Sequence, residues 1–275
     1  MLSAGFVKQV FSPVCWVSSR YSDILRRGII TSMNSGLFPK KVVVTEQEID
    51  LTRLHKKEKE FIAGVLRDAI FRYETFGSAR AIFGIAGPSG AGKSFVAAIV
   101  RELAQSEKLP FRIETVSIDA FHFPNEYLAT HEAGGVNLKE VKGRYNTYDT
   151  QLLGSELARF RSGCEVRFSV YSRKVHDPVP NLLKITEPKT LLFLEGLWLL
   201  YDRAGWDIVH GELDYVYFLD DELARLRKHT VERHIRGGRT EKDAERFYGE
   251  NDMENYRLVM QTKKGADQFL SWPQG

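Results

Sequence analysis

The sequence predicts an α/β fold built on a parallel sheet, and three observations carry that expectation. Short runs of apolar residues recur along the chain, at Ala81 to Ala86, Thr190 to Leu194 and Leu213 to Leu219. They alternate with segments whose apolar residues fall at three- and four-residue intervals, the spacing of amphipathic helices. The apolar runs end on acidic residues or on a glycine-rich turn. Runs apolar at nearly every position suit strands covered on both faces by helices. Ligands of such sheets gather outside the carboxyl ends of the strands.

The chain is organised around AIFGIAGPSGAGKS, Ala81 to Ser94. After the strand Ala81 to Ala86, the residues Gly87, Pro88, Ser89, Gly90, Ala91, Gly92, Lys93 and Ser94 fit G-x-x-x-x-G-K-[ST], a phosphate-binding loop. Glycines let the backbone fold tightly enough for successive N–H groups to face one polyphosphate. Lys93 can reach the β- and γ-phosphates, and the Ser94 hydroxyl can bind Mg²⁺. A helix from Lys93 to Lys108 presents its positive end to the phosphates, and Pro110 marks its exit. These residues predict binding of a nucleoside triphosphate.

Composition bounds the rest. Apolar residues at 43% and charged residues at 27% are ordinary for a globular chain of one large or two small domains. A net charge of +3 is too small to argue for a nucleic-acid partner. The two cysteines, Cys15 and Cys164, have neither metal-ligand spacing nor a disulfide framework, which fits a reducing compartment. No apolar run approaches the ~18–20 residues of a membrane span, so no membrane partner is expected.

Residues 1–36 stand apart as a leader, with 37–275 expected to form the folded domain. The leader is basic, rich in serine and holds one acid, Asp23, which is the composition of a transit peptide. A disordered leader, or a translation start at Met33, explains it as well, so the expected location is cytoplasmic or mitochondrial. Lys41 to Thr45 reads as a short edge strand, followed by an amphipathic helix from about Glu46 to Tyr73. Phe111 to Ile118 is the second core strand and ends at Asp119. A helix from about Gln151 to Ser162 precedes a small strand, Val166 to Tyr171. The segment SRKVHDPVP after it carries two prolines that exclude a helix. Helices from Glu222 to about Ile235 and from Lys242 to Met260, then a strand from Ala266 to Leu270, complete the pattern. Nothing in it demands a homodimer, although the helices leave room for one.

Three acids sit at strand ends: Asp119, Glu195 and Asp220. Phosphoryl transfer needs a phosphate cradle, Mg²⁺, an oriented nucleophile and cations for the moving charge. Asp119 is placed to orient the acceptor hydroxyl and take its proton. Glu195 closes LLFLEG, the spelling of a strand that holds Mg²⁺ or its water. Asp220 reads as a turn or cap residue. Arg225, Arg227, Lys228, Arg233, Arg236 and Arg239 lie on or beside one charged helix next to Gly237-Gly238. Such a run is either a solvated face or a lid, and as a lid its Arg233 and Arg236 would close over the triphosphate. His122, Arg144, Tyr145, Tyr171, Arg173, His176 and Asp177 fall between the second and third strands, where a cationic and aromatic lining suits an acidic or phosphorylated acceptor or a stacking ring.

The motifs GIAGPSGAGKS, SIDAFHFPN, KGRYNTYD, YSRKVHDPVP, LLFLEGLWLL and RHIRGG…NDMENYRLV, in this order, resemble the phosphoribulokinase/uridine kinase superfamily of P-loop kinases, in its uridine-kinase-like and pantothenate-kinase-like branch. The resemblance covers roughly residues 50 to 272. It implies a P-loop NTPase three-layer sandwich with a central parallel sheet of about five strands and a helical lid. It also implies ATP and Mg²⁺ as cofactors, Lys93 and Ser94 as phosphate and metal residues, Asp119 as general base, Glu195 as Walker B acid and Arg233 as lid arginine. The DAFHFPN run is closer to the pantothenate-kinase-like pattern than to the uridine kinase one, and the nucleoside-binding segment of true uridine kinases is not recognisable.

Together these features predict an ATP-dependent kinase for a hydroxyl-bearing metabolite: a nucleoside such as uridine, a pantothenate-like compound or a sugar. The rival is a nucleotide-binding scaffold or slow ATPase switch. A guanine switch would carry an N-K-x-D motif, which this sequence lacks.

Overall fold

The computed structural model describes residues 38–107 and 109–274. The proposed leader and Cys15 lie outside them. The described chain opens on an antiparallel hairpin of β1 (Lys41–Val44) and β2 (Gln47–Asp50), which forms a sheet of its own. The expected edge strand is thus half of a separate hairpin, and the expected helix does not begin at Glu46. Gln47 to Asp50 instead pair with β1, held by an ion pair of Lys41 with Glu48 at 2.6 Å. Helix α1 starts at Lys56 and runs to Phe76, with the Glu58 carboxylate accepting from the His55 N–H at 2.8 Å in a capping box. Gly77, at φ 65°, ends it.

Strand β3 (Arg80–Ala86), helix α2 (Lys93–Ser106) and strand β4 (Arg112–Ser117) follow. The chain then makes the short helix α3 (Asn125–Thr130), the small hairpin β5 (Glu132–Ala133) and β6 (Val136–Asn137), and helix α4 (Thr150–Arg161). Strands β7 (Val166–Ser172) and β8 (Asp177–Ile185) pair antiparallel with each other, not with the central sheet. Pro178 and Pro180 are tolerated in β8 because a two-stranded ribbon leaves one edge of each strand without ladder donors. Strand β9 (Thr190–Gly196), helix α5 (Trp206–Gly211) and strand β10 (Tyr215–Asp220) lead into the lid region and the last strand, β11 (Gln268–Ser271).

The central sheet has five parallel strands in the order β11-β10-β3-β9-β4. β3 and β9 are buried at every position, as their unbroken apolar runs require. Alternate residues feed opposite layers. Phe83, Ile85, Leu191, Phe193, Tyr217 and Leu219 pack against α1 and α2, and Ile82, Ala86, Leu192, Leu194, Val216 and Phe218 pack against α4, α5 and β7. Each fully buried aliphatic or aromatic side chain contributes about 1.5–3 kcal/mol, so the two layers clamp the sheet. Three layers result.

The first core strand, β3, lies in the middle, and successive strands are added on either side of it. The loop after β3 therefore opens at the crevice where the strand order reverses. Register brings Ser117 and Ile85 to either side of Glu195, so the acidic strand ends converge there.

The segment expected as a lid comprises α6 (Leu223–Arg236), α7 (Glu241–Phe247), a five-residue π-turn at Tyr248–Asp252, and α8 (Met253–Thr262). The helix expected from Lys242 to Met260 is present and continuous from Glu241 to Thr262, widened at that turn. There Asp252 bonds His234 at 2.7 Å and Asn251 accepts from Arg144 at 2.9 Å, and these long-range bonds favour widening of the helix. Among the described residues no helix is long and apolar enough to cross a membrane.

Candidate active site

The turn from β3 into α2 can be made only by its glycines at two points. Gly87 sits at φ 145° and Gly90 at φ 81°. A Cβ at Gly87 would collide with the Leu219 carbonyl, and one at Gly90 with the Leu226 carbonyl. The loop is thus wedged between the end of β10 and the lid helix α6. Below it, Trp272 donates its indole N–H to the Ala91 carbonyl at 2.8 Å.

Lys93 is buried and donates to the Pro88 carbonyl at 2.8 Å. Burial pulls its ammonium down to about pKa 8, while the Glu195 carboxylate opposes that shift. Ser94 donates from Oγ to Glu195 Oε1 at 2.8 Å. Burial pushes the Glu195 carboxyl up, the Lys93 charge pulls it down, and hydrogen bonds from Ser117 and Ser94 hold it further toward the ionised form. A hydroxyl beside one carboxylate, at the phosphate end of the loop, is a hard oxygen donor set that suits Mg²⁺, a cation that keeps several of its waters.

Asp119 follows β4 on a short 3₁₀ turn, its N–H donating to Ser117 Oγ at 3.3 Å. The Tyr148 hydroxyl donates to Asp119 Oδ1 at 3.3 Å, and burial raises the phenol pKa well above its ordinary value, so Tyr148 remains a donor. His122 stacks on the Tyr148 ring with centroids 3.8 Å apart. Its Nδ1 lies 3.0 Å from the Thr147 carbonyl, which can only accept, so Nδ1 carries the proton. Burial lowers the His122 pKa to about 4, against the pull of Asp119. The Nε2 lone pair, 3.8 Å from Asp119 Oδ1, is too far for a hydrogen bond. Asp119 is thus flanked by one donor and one neutral ring.

A cleft of about 410 Å³ runs over the loop, lined by Gly90 to Phe95, Arg173, Arg225, His229, Arg233, Arg236 and Trp272. Arg233 donates to Ser89 Oγ at 2.6 Å, which closes α6 onto the loop. Among the described residues, Arg173, Arg233 and Arg236 form no ion pair. Arg233 and Arg236 bond neutral acceptors and the buried Nε of Arg173 has no partner. Unpaired guanidinium groups around a phosphate loop make an anion site. A separate cleft of about 490 Å³ lies at the amino ends of the strands, between Phe111 and Pro188, and holds none of the motif residues.

The model of the Phosphoribulokinase / Uridine kinase family matches residues 82–267. The chain belongs to that family. It is 31% identical over 188 residues to the uncharacterized protein YggC of Escherichia coli K12, covering 68% of this chain and 76% of that one. It is 25% identical over 186 residues to pantothenate kinase of Streptococcus agalactiae, covering 67% of this chain and 58% of the relative. The match therefore spans little more than half the length of that pantothenate kinase. Among solved structures, a candidate fructose transport system kinase from Silicibacter sp. TM1040 superposes with a TM-score of 0.67 at 22% identity, covering 77% of this chain and 98% of the other. YFH7 of Saccharomyces cerevisiae, a candidate P-loop kinase with a circular permutation, superposes with a TM-score of 0.64 at 14% identity, covering 78% and 99%. Both likenesses are of fold.

Within this member of the phosphoribulokinase/uridine kinase family, the remaining residues expected at the acceptor side divide into two groups. Tyr171 lies beside His122, with centroids 6.0 Å apart, and under the Lys142 ammonium at 5.3 Å. Burial, then the charge of Asp119, raises its phenol pKa. Arg173 faces the cleft. By contrast, Arg144 pairs with Glu254 at 2.8 Å and donates to Asn251, tying its loop to α8 and the π-turn. Tyr145 packs on Trp198 and Tyr201. His176 takes φ 54°, and its carbonyl accepts from Asn125 and Lys142, so it shapes the loop through its main chain. Asp177 accepts from the Asn125 N–H at 3.0 Å and pairs with Lys142 at 3.5 Å. Asp220 accepts from Lys263 at 2.8 Å, a structural role. Sequence reasoning missed Tyr148, Trp272 and Ser117. Only Tyr148 left a signal, the aromatic in KGRYNTYDT that closes the loop before α4.

Proposed function

We propose that this chain is an ATP- and Mg²⁺-dependent kinase that transfers the γ-phosphoryl group to a hydroxyl of a small metabolite. The observation that carries the proposal is the meeting of Glu195 with Ser94 at 2.8 Å and of Arg233 with Ser89 at 2.6 Å on the loop that carries Lys93, with Asp119 two residues beyond Ser117, which lies opposite Glu195 in the sheet. That is the set of an acceptor base, a phosphate cation, a metal acid and a lid cation at one crevice.

The loop amides and Lys93 would hold the polyphosphate. Ser94 and Glu195 would hold Mg²⁺, which when bound supplies positive charge to the phosphate oxygens. Asp119 accepts the proton of the acceptor hydroxyl as its oxygen attacks the γ-phosphorus. The bond from that phosphorus to the β,γ-bridging oxygen breaks, and ADP leaves. Tyr148 holds Asp119 in place by donating to the oxygen that is not receiving the proton, and neutral His122 adds no competing charge. Arg233 and Arg173 balance the charge on the moving group. The pantothenate kinase relative supports a pantothenate-like acceptor, and nucleosides and sugars are the other classes to be tried.

A coupled ADP-release assay on the full chain with Mg-ATP tests this, with nucleosides, pantothenate, sugars, sugar phosphates and glycerate offered in turn. One acceptor class raising ADP release well above the water background supports the kinase. Background release with every acceptor, alongside intact ATP binding, favours a nucleotide-binding scaffold.

A further inference from the structure

The β1–β2 hairpin lies outside the residues matched by the family model, 82–267, yet it reaches the site. Its two-residue turn is Thr45-Glu46, with Val44 paired to Gln47. Both turn residues are left-handed, at φ 43° and 67°. Tight hairpins normally assign that conformation to Asn-Gly, and for a β-branched threonine it is strained. The side chains that the turn presents offset the strain. The Glu46 carboxylate accepts from Ser172 Oγ and from the Arg173 N–H, both at 3.0 Å. Gln47 accepts from Arg236 at 3.3 Å. Val44, Thr45, Gln47 and Ile49 line the same cleft as Lys93 and Ser94.

The choice of partner has a chemical consequence. Glu46 grips the main chain of Arg173, and among the described residues no carboxylate pairs with its guanidinium and its buried Nε has no hydrogen-bond partner. Burial and the like charges of Arg233 and Arg236 weigh on the Arg173 guanidinium, and the Asp119 and Glu195 carboxylates oppose them without pairing with it. Such a cluster, partly withdrawn from water, is stabilised by an anion that enters the cleft.

We propose that the β1–β2 hairpin is the outer wall of the phosphoryl-donor site and that Glu46 is a positioning residue. By fixing the Arg173 main chain, Glu46 aims that guanidinium, with those of Arg233 and Arg236, at the terminal phosphate of a bound nucleoside triphosphate. The inference rests on the nucleotide binding argued above. It makes the hairpin matter for a triphosphate and not for a diphosphate, which has no group to meet the three arginines.

The test is calorimetric titration of the full chain with Mg-ATP and with Mg-ADP, for wild type, Glu46→Ala, Glu46→Gln, Arg173→Ala and the Glu46→Ala/Arg173→Ala pair. Loss of Glu46 should weaken ATP about tenfold, the effect of one charge-assisted contact, and leave ADP within about twofold. Glu46→Gln, which keeps an acceptor oxygen, should recover part of the loss. Glu46→Ala should add little once Arg173 is alanine, because the two act as a unit. Equal weakening of ATP and ADP would reduce Glu46 to a structural residue and overturn the inference, as would additive effects in the double variant or unchanged ATP affinity. A wild-type chain that binds neither nucleotide overturns this inference and the kinase proposal together. Wild-type binding with Glu46→Ala unaffected overturns this inference alone.

Discussion

Ser94 Oγ donates to Glu195 Oε1 at 2.8 Å, joining the first turn of α2 to the carboxyl end of β9. The two residues are 101 apart in sequence. The bond exists because β3 and β9 are in register to their last residues, with Ile85 opposite Glu195, so the loop that leaves β3 must pass over the acid that ends β9. The pair forms the oxygen donor set proposed for Mg²⁺.

Ser94→Ala and Glu195→Gln should each raise the Mg²⁺ concentration that gives half-maximal activity, by about tenfold or more. Nucleotide affinity in the presence of a chelator should change little, since Lys93 and the loop amides remain. A magnesium titration of activity, run beside chelated nucleotide binding, checks both. An unchanged Mg²⁺ requirement would remove this pair from the metal site.

Burial holds Lys93 at about pKa 8, so the free protein loses this ammonium as pH rises through that value. Polyphosphate favours the charged form and raises the pKa in the complex. ATP affinity is therefore expected to be level below about pH 7 and to fall above about pH 8 by up to tenfold per unit, with a proton taken up on binding. Calorimetry in buffers of different ionisation enthalpy measures that proton directly. Affinity that stays level to about pH 9.5 would contradict the placement of Lys93 at the phosphates.

His122 supplies an acid-side prediction. Its folded pKa of about 4 lies below the ordinary 6.5, so between these values the unfolded chain binds the proton and the folded chain does not. Stability conferred by the neutral ring is complete above about 6.5 and is lost as pH falls toward 4, by about 3 kcal/mol in all. Tm should fall between about pH 6.5 and 5, and more steeply for the wild type than for His122→Gln. Parallel Tm profiles would show that His122 is not the group responsible.

The phosphate loop was legible because every residue in it answers a local demand: glycines for positive φ, a lysine and a serine for the ligand. The positions of Asp119 and Glu195 at the carboxyl ends of their strands were legible because the apolar run of each strand stops there. What local patterning does not encode is partner choice. Arg144 and Tyr145 have the composition of an acceptor lining, yet the ion pair with Glu254 and the packing on Trp198 are set by residues 110 and 53 positions away. The helix expected to start at Glu46 fails for a similar reason. Its apolar spacing from Leu54 onward is sound, but Gln47 to Asp50 find a strand partner in β1, and β-pairing overrides a weak helical preference. The π-turn at Tyr248–Asp252 likewise bonds His234 and Arg144, which lie outside the helix it widens.

The most direct test of the central claim is a comparison of wild type with Asp119→Asn, in which Mg-ATP binding and acceptor phosphorylation are measured on the same samples. The account predicts ATP affinity within about twofold of wild type and phosphorylation reduced by about 10²–10⁴, the contribution of a positioned general base. An Asp119→Asn variant that still phosphorylates the acceptor within a few-fold of wild type would contradict it.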